Sequence, residues 1–150
     1  MRRRQTTPSQ WLIIADDGQD VVARASRLPR GGGLLLLQPV RARTMLRLRV
    51  LAGQRGLKIV VEQPRFAARI HDSRELRQAL LARSELILLS PIHPTGSHPE
   101  WKPLPRMRAA ALARLAGRRA VALGGMNAER YAKIAPLGFI GWAGISAFRI

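Results

Sequence analysis

Side chains able to do chemistry gather at three places in this chain. Between Ser90 and Glu100 the stretch SPIHPTGSHPE sets Thr95 and Ser97 two residues apart, with His93 before them and His98 after. Hydroxyls at that spacing can donate to the oxygens of one anion, and a protonated His98 adds positive charge or an acid. Pro91, Pro94 and Pro99 restrict the backbone that carries them, so the polar groups are held at little entropic cost. The second place is VALGGMN, Val121–Asn127, where Gly124 and Gly125 let a backbone approach an anion and Asn127 caps a following helix. The third is GWAGIS, where Ile145 and Ser146 end the last apolar run.

Each feature also has a purely structural reading. A tight turn uses paired glycines for geometry alone. His93 suits polar packing, and His71 sits where a strand hands over to a helix. The spacing of His71, His93 and His98 does not suggest zinc, and no carboxylate lies within a turn of them in a ligand pattern. The absence of cysteine excludes disulfides, iron–sulfur clusters and thiolate zinc sites. Asp16 and Asp17 are adjacent at the end of the first strand, so at most one of them faces the same side as the other candidates.

The elements that must position these residues are short apolar runs alternating with amphipathic segments. Strands are expected at Trp11–Asp17, Gly31–Val40, Leu57–Pro64, Arg65–His71, Glu85–Pro91, Arg118–Gly125 and Gly138–Phe148. Helices are expected over Thr44–Arg55, from an Asp72/Glu75 capping box through a stripe of Leu76, Leu80 and Leu81, over Arg106–Ala116, and from Asn127 to Ile134. Continuous aliphatic strands alternating with helices predict a parallel sheet covered on its faces, with chemistry at the strands' C-terminal ends. Residues 1–10 read as a flexible basic N-terminus and 11–150 as one domain.

The net charge is +17, from 26 lysines and arginines against 9 acids, and the lysines are only Lys58, Lys102 and Lys133. Such a charge favours polyanions in general. Aromatics are only 5% and Arg2–Arg4 is the only basic block, so a specific nucleic-acid partner is not expected. No apolar run approaches the roughly 18–20 residues of a membrane span. A basic start without an apolar signal core reads as a cytoplasmic protein.

Taken in order, IHDSREL, SPIHPTGSHPEWKPL and AVALGGMNAERYAKIAPLGFIGWAGISAF resemble the thiamine phosphate synthase/TenI family, in particular its short, arginine-rich branch. The resemblance runs from about Ile70 to the end. It implies a TIM-barrel-like (βα) fold, here shortened to about seven parallel strands because a complete barrel takes at least about 200 residues. It also implies Mg²⁺-assisted joining of hydroxymethylpyrimidine diphosphate to thiazole phosphate, to give thiamine phosphate. Thr95 and Ser97 match the family's paired hydroxyls, Gly124 and Gly125 its phosphate-binding glycines, Ile145 and Ser146 its closing phosphate loop, and Gln38 a second-strand glutamine.

Several positions depart from that pattern. His98 stands where a diphosphate-contacting lysine is usual. The third strand offers Glu62–Gln63 in place of a metal-holding Asn-Asp pair, and one βα unit is missing around Pro64–Arg69. Pro91 occupies the position of the TenI histidine, with His93 two residues on, which leaves His93 and His98 as the catalytic candidates. The implied partner is a phosphorylated thiazole, with homo-oligomerisation open. A non-catalytic relative binding a phosphorylated small molecule and a TenI-like thiazole tautomerase are the alternatives.

Overall fold

A computed structural model describes residues 7–18, 20–95 and 99–145. Seven strands, β1 Gln10–Ile14, β2 Gly33–Leu36, β3 Lys58–Val61, β4 Ala67–Ile70, β5 Leu86–Leu89, β6 Ala120–Leu123 and β7 Gly141–Gly144, form one sheet. Its order is β3-β2-β1-β7-β6-β5-β4, and every pairing is parallel. That is the cyclic order of a βα barrel, cut between β3 and β4. The helices are α1 Val21–Ala25, α2 Ala42–Arg55, α3 Ser73–Leu81, α4 Arg106–Ala116 and α5 Ala128–Ile134, and a 3₁₀ turn, Ala135–Leu137, follows α5.

The expected shortened, parallel, barrel-like sheet is therefore the fold. The chain leaves an open seam rather than closing a seven-stranded ring. No helix separates β3 from β4, only residues 62–66. An ion pair crosses the seam: Arg69 Nη2 donates to Glu62 Oε1 at 2.9 Å, and Nε lies 2.8 Å from Oε2.

Period-two alternation sorts the strands into two layers. Trp11, Ile13, Leu35, Val60, Ala67, Leu86, Leu88, Val121 and Ala143 pack inside the curl. Their neighbours Leu12, Ile14, Leu34, Leu36, Ile70, Ile87, Leu89 and Ala122 meet the helices. Trp11 fills part of the interior and donates its indole N–H to Pro8 O at 2.9 Å. Gly33 is there because a Cβ would sit 2.2 Å from the Trp11 ring. The same phase, carried one step past each strand's end, turns Ala15, Leu37 and Ser90 inward at the C-terminal rim.

The helices follow the sequence with differences that the 3.6-residue period explains. In α2, Leu48 is buried and Met45, Leu51 and Ala52 are partly so, whereas Leu46 and Val50 fall on the far side, 65% and 55% exposed. In α3, Leu76 and Ala79 are buried. Leu81, expected in the stripe, is exposed because it lies five residues from Leu76, off that face. Asp72 Oδ1 accepts from Glu75 N at 2.8 Å as expected of a cap, but the Glu75 carboxylate turns to His71 instead of back to the cap. Helix α1 was not anticipated. Five residues are too short to show a helical period.

Candidate active site

The C-terminal ends of the strands surround a cavity of about 620 Å³. Inner-phase residues of five strands or their ends line it: Ile13 and Ala15, Leu37, Arg69, Ser90, and Leu123. Three connecting segments complete the wall. The β5–α4 loop brings Pro91, Pro94, Thr95 and Trp101, the β6–α5 turn brings Gly124, Gly125, Met126 and Asn127, and Ile145 follows β7. Arg130, on the first turn of α5, also lines it.

The structure thus brings together Thr95, Gly124, Gly125 and Ile145, which the sequence read as one anion site. Ser97, His98 and Ser146 lie outside the described residues. Gln38 is not brought in: Leu35 and Leu37 point inward, so Gln38 takes the opposite phase and is exposed beyond β2. His93 is not among the lining residues. It backs the glycine turn, its Cβ 3.0 Å from where a Gly125 Cβ would lie. Desolvation holds its imidazole below the ordinary histidine range, and the charges of Arg130 and Lys133 push in the same direction. Neither Asp16 nor Asp17 lines the cavity. Asp17 Oδ2 accepts from Arg41 N at 2.7 Å and Nε at 2.9 Å, and Oδ1 from Thr44 at 3.0 Å, so it anchors the start of α2. Those bonds, led by the Arg41 amide, lower its pKa.

The glycines serve packing as well as access. Gly124 and Gly125 have φ of 104° and 59°. A Cβ on Gly124 would lie 2.9 Å from Pro91 Cα, and one on Gly125 would lie 2.6 Å from Pro94 O. The His93 amide donates to Gly124 O at 3.1 Å and the Ile92 amide to Leu123 O at 3.0 Å, joining the proline loop to the turn. Asn127 Oδ1 accepts from Arg130 N at 2.9 Å, and Arg130 Nη1 donates to Gly125 O at 2.5 Å, which draws the guanidinium over the turn.

Sequence reasoning missed four residues here. Arg69 and Ser90 were legible as inner-rim positions of their strands. Arg130 follows the cap by three residues, but so arginine-rich a chain hides any one arginine. Arg24 is 9% exposed and its Nη2 donates to Ile145 O at 2.9 Å, across 121 residues, so only the fold reveals it. No described carboxylate pairs with Arg24, and its positive charge lies behind the end of β7.

Mg²⁺ takes hard oxygen ligands, usually carboxylates. The described lining has none, and Glu62, the acid at the seam, is occupied by Arg69. Among the described residues no group of three or more histidines or acids is suited to a metal. The described lining does not fit the ion. No described helix is long and apolar enough to cross a membrane.

A parallel βα sheet whose C-terminal rim carries a glycine turn, a hydroxyl loop and arginines has the layout of a TIM-barrel-like rim. The family model for thiamine monophosphate synthase matches residues 57–148, well over half of the chain, and the chain belongs to that family. No curated protein matches it. Among solved structures it is similar to a thiamine phosphate pyrophosphorylase from Pyrococcus furiosus, with a TM-score of 0.73 at 14% identity, over 97% of this chain and 89% of that one. It is also similar to a thiamine phosphate pyrophosphorylase from Bacteroides thetaiotaomicron, with a TM-score of 0.56 at 15% identity, over 93% and 83% of the two chains. At such identities these likenesses speak for the fold alone.

Proposed function

We propose that this chain binds a phosphorylated small molecule of the thiazole phosphate type at the rim cavity, in the cytoplasm, without metal-dependent diphosphate chemistry. One observation carries the reading. The cavity joins Arg130, Thr95 and the Gly124–Gly125 turn on one side with Arg69 on the other, and no described carboxylate lines it. Guanidinium and hydroxyl groups donate to phosphate oxygens, and glycine lets the backbone come close. The apolar lining, Ile13, Leu37, Leu123, Met126 and Trp101, suits the rest of a small heterocycle.

Departure of a diphosphate without a metal, and with no described lysine or acid in the cavity, lacks the electrostatic stabilisation that such a step depends on. Calorimetric titration with thiazole phosphate, with and without Mg²⁺, tests the reading. The expected result is saturable binding that Mg²⁺ does not alter. Binding only in the presence of Mg²⁺, or none, would defeat it. The family match favours a second reading, full synthase turnover. Rescue of a thiamine auxotroph lacking the synthase would establish that reading, and failure by a folded protein would count against it.

A further inference from the structure

At the seam side of the cavity three side chains stand in series. Ser90 Oγ lies 3.3 Å from His71 Nε2, and His71 Nδ1 lies 3.1 Å from Glu75 Oε2. Each comes from a different piece of local structure: Ser90 from the inner rim after β5, His71 from the end of β4, Glu75 from the first turn of α3. The Ser90 amide donates to Ile70 O at 3.1 Å, which fixes the serine beside the histidine. The Trp101 ring meets His71 edge-on, with centroids 5.5 Å apart and planes at 83°, and closes the imidazole's other side. A carboxylate can only accept, so Glu75 takes Nδ1–H, and in the neutral imidazole Nε2 is then the unprotonated nitrogen, facing a hydroxyl that lines the cavity. That is the order of a serine nucleophile, its base and the carboxylate that orients the base.

We infer that Ser90, His71 and Glu75 form a nucleophilic relay acting on small activated esters that carry an anionic group. This is a second chemistry of the cavity: its serine relay stands apart from the phosphate-binding reading, and only the substrate's anionic group rests on that reading. Ser90 Oγ attacks the ester carbonyl carbon as its proton passes to His71 Nε2. The bond from that carbon to the leaving oxygen breaks, and the proton goes to the departing alcohol. Water then attacks the acyl-serine with His71 again as base, releasing a carboxylic acid and restoring Ser90. The balance is ester plus water to acid plus alcohol. Arg130, Thr95 and the glycine turn line the same cavity, where they can hold the substrate's anion or the carbonyl oxygen's developing charge. Ser90 and His71 are the catalytic residues, and Glu75 is a positioning residue.

A fluorophosphonate probe tests this directly, because only an activated serine displaces its fluoride to form the phosphonyl ester. Full-length protein incubated with the probe should gain one adduct by intact mass, mapped to Ser90 by peptide sequencing. Ser90→Ala should abolish the adduct. His71→Ala should slow its formation by about 100-fold or more, as loss of the base does in such relays. Glu75→Gln should slow it by about 10-fold while Glu75→Asp recovers most of the rate, a pattern that a merely structural glutamate would not give. Hydrolysis of p-nitrophenyl acetate should show a burst of one equivalent that the Ser90 variant lacks. The site of the wild-type adduct needs no variant, so a variant that fails to fold leaves the test intact. No wild-type adduct, an adduct elsewhere, or equal rates in folded Ser90→Ala or His71→Ala protein overturns the proposal.

Discussion

The two sides of the rim are built differently. On the β5–β7 side, loop and turn are bonded to each other: the proline loop donates to the glycine turn, and the glycines are small because that loop presses on them. On the β3–β4 side, strand joins strand through residues 62–66, and one ion pair spans the seam. The groups proposed to bind an anion on the first side are held by backbone packing. The second has spent its acid and one of its cations on each other. A barrel that loses a unit can thus keep a binding surface supported from within a few consecutive βα units, while groups needing both edges of the lost segment have nothing to hold them.

The largest expected effect probes the packed side. Gly125→Val places a β-branched side chain at φ 59° with its Cβ on Pro94 O, combining a left-handed penalty with overpacking. A loss of about 3 kcal/mol is expected from chemical denaturation. An unchanged midpoint would mean that loop and turn do not press on each other as described. Because this variant harms packing, it cannot report on ligand binding, and Arg130→Ala is the cleaner probe. Arg130 is exposed, and among the described residues its side chain bonds to Gly125 O and its amide to the Asn127 cap. Removing it should leave stability nearly unchanged and weaken thiazole phosphate binding by about 1.5–3 kcal/mol, the worth of a hydrogen bond to a charged group. Equal affinity in calorimetry would remove Arg130 from the site.

The seam should respond in the opposite sense. Glu62→Gln breaks an ion pair whose side chains are 39% and 23% exposed, so the stability loss should stay below about 1 kcal/mol. It also frees Arg69 toward a cavity it already lines, so phosphate affinity should rise a few-fold, more at low salt than at high. A fall in affinity would show that Glu62 orients Arg69 for the ligand instead of competing with it.

How much of this was legible in the chain follows from the range of each signal. The alternation of strands and helices, the Asn127 and Asp72 caps, and the meeting of Thr95, Gly124, Gly125 and Ile145 rest on patterns a few residues long. Those patterns survived folding. Leu81 falls outside the buried stripe because a count of apolar residues ignores which of them leave the 3.6-residue face. Arg24 on Ile145 and Ser90 beside His71 depend on approach between distant segments, which no local spacing encodes. His71 reads as a structural residue along the chain, and its neighbours become a relay only when β4 and β5 pair.

The smallest expected effect uses His93 as a reporter on the packed side. Its pKa is lowered in the fold, first by desolvation and then by Arg130 and Lys133. The folded chain therefore binds the proton less readily than the unfolded chain, whose histidine titrates near about 6.5. Above that pH both states are neutral there and His93 contributes no slope. As pH falls below it the unfolded state takes up more proton, and stability drops until the folded group titrates in turn. His93→Gln should make the decline of stability below about pH 6.5 shallower. A phosphate held at Arg130 offsets one of the charges acting on His93, so its NMR titration midpoint should move upward when inorganic phosphate is added. That shift should vanish in Arg130→Ala and persist in Glu62→Gln. A midpoint indifferent to phosphate in the wild type, with binding still measurable, would move the anion away from the glycine turn and toward the seam.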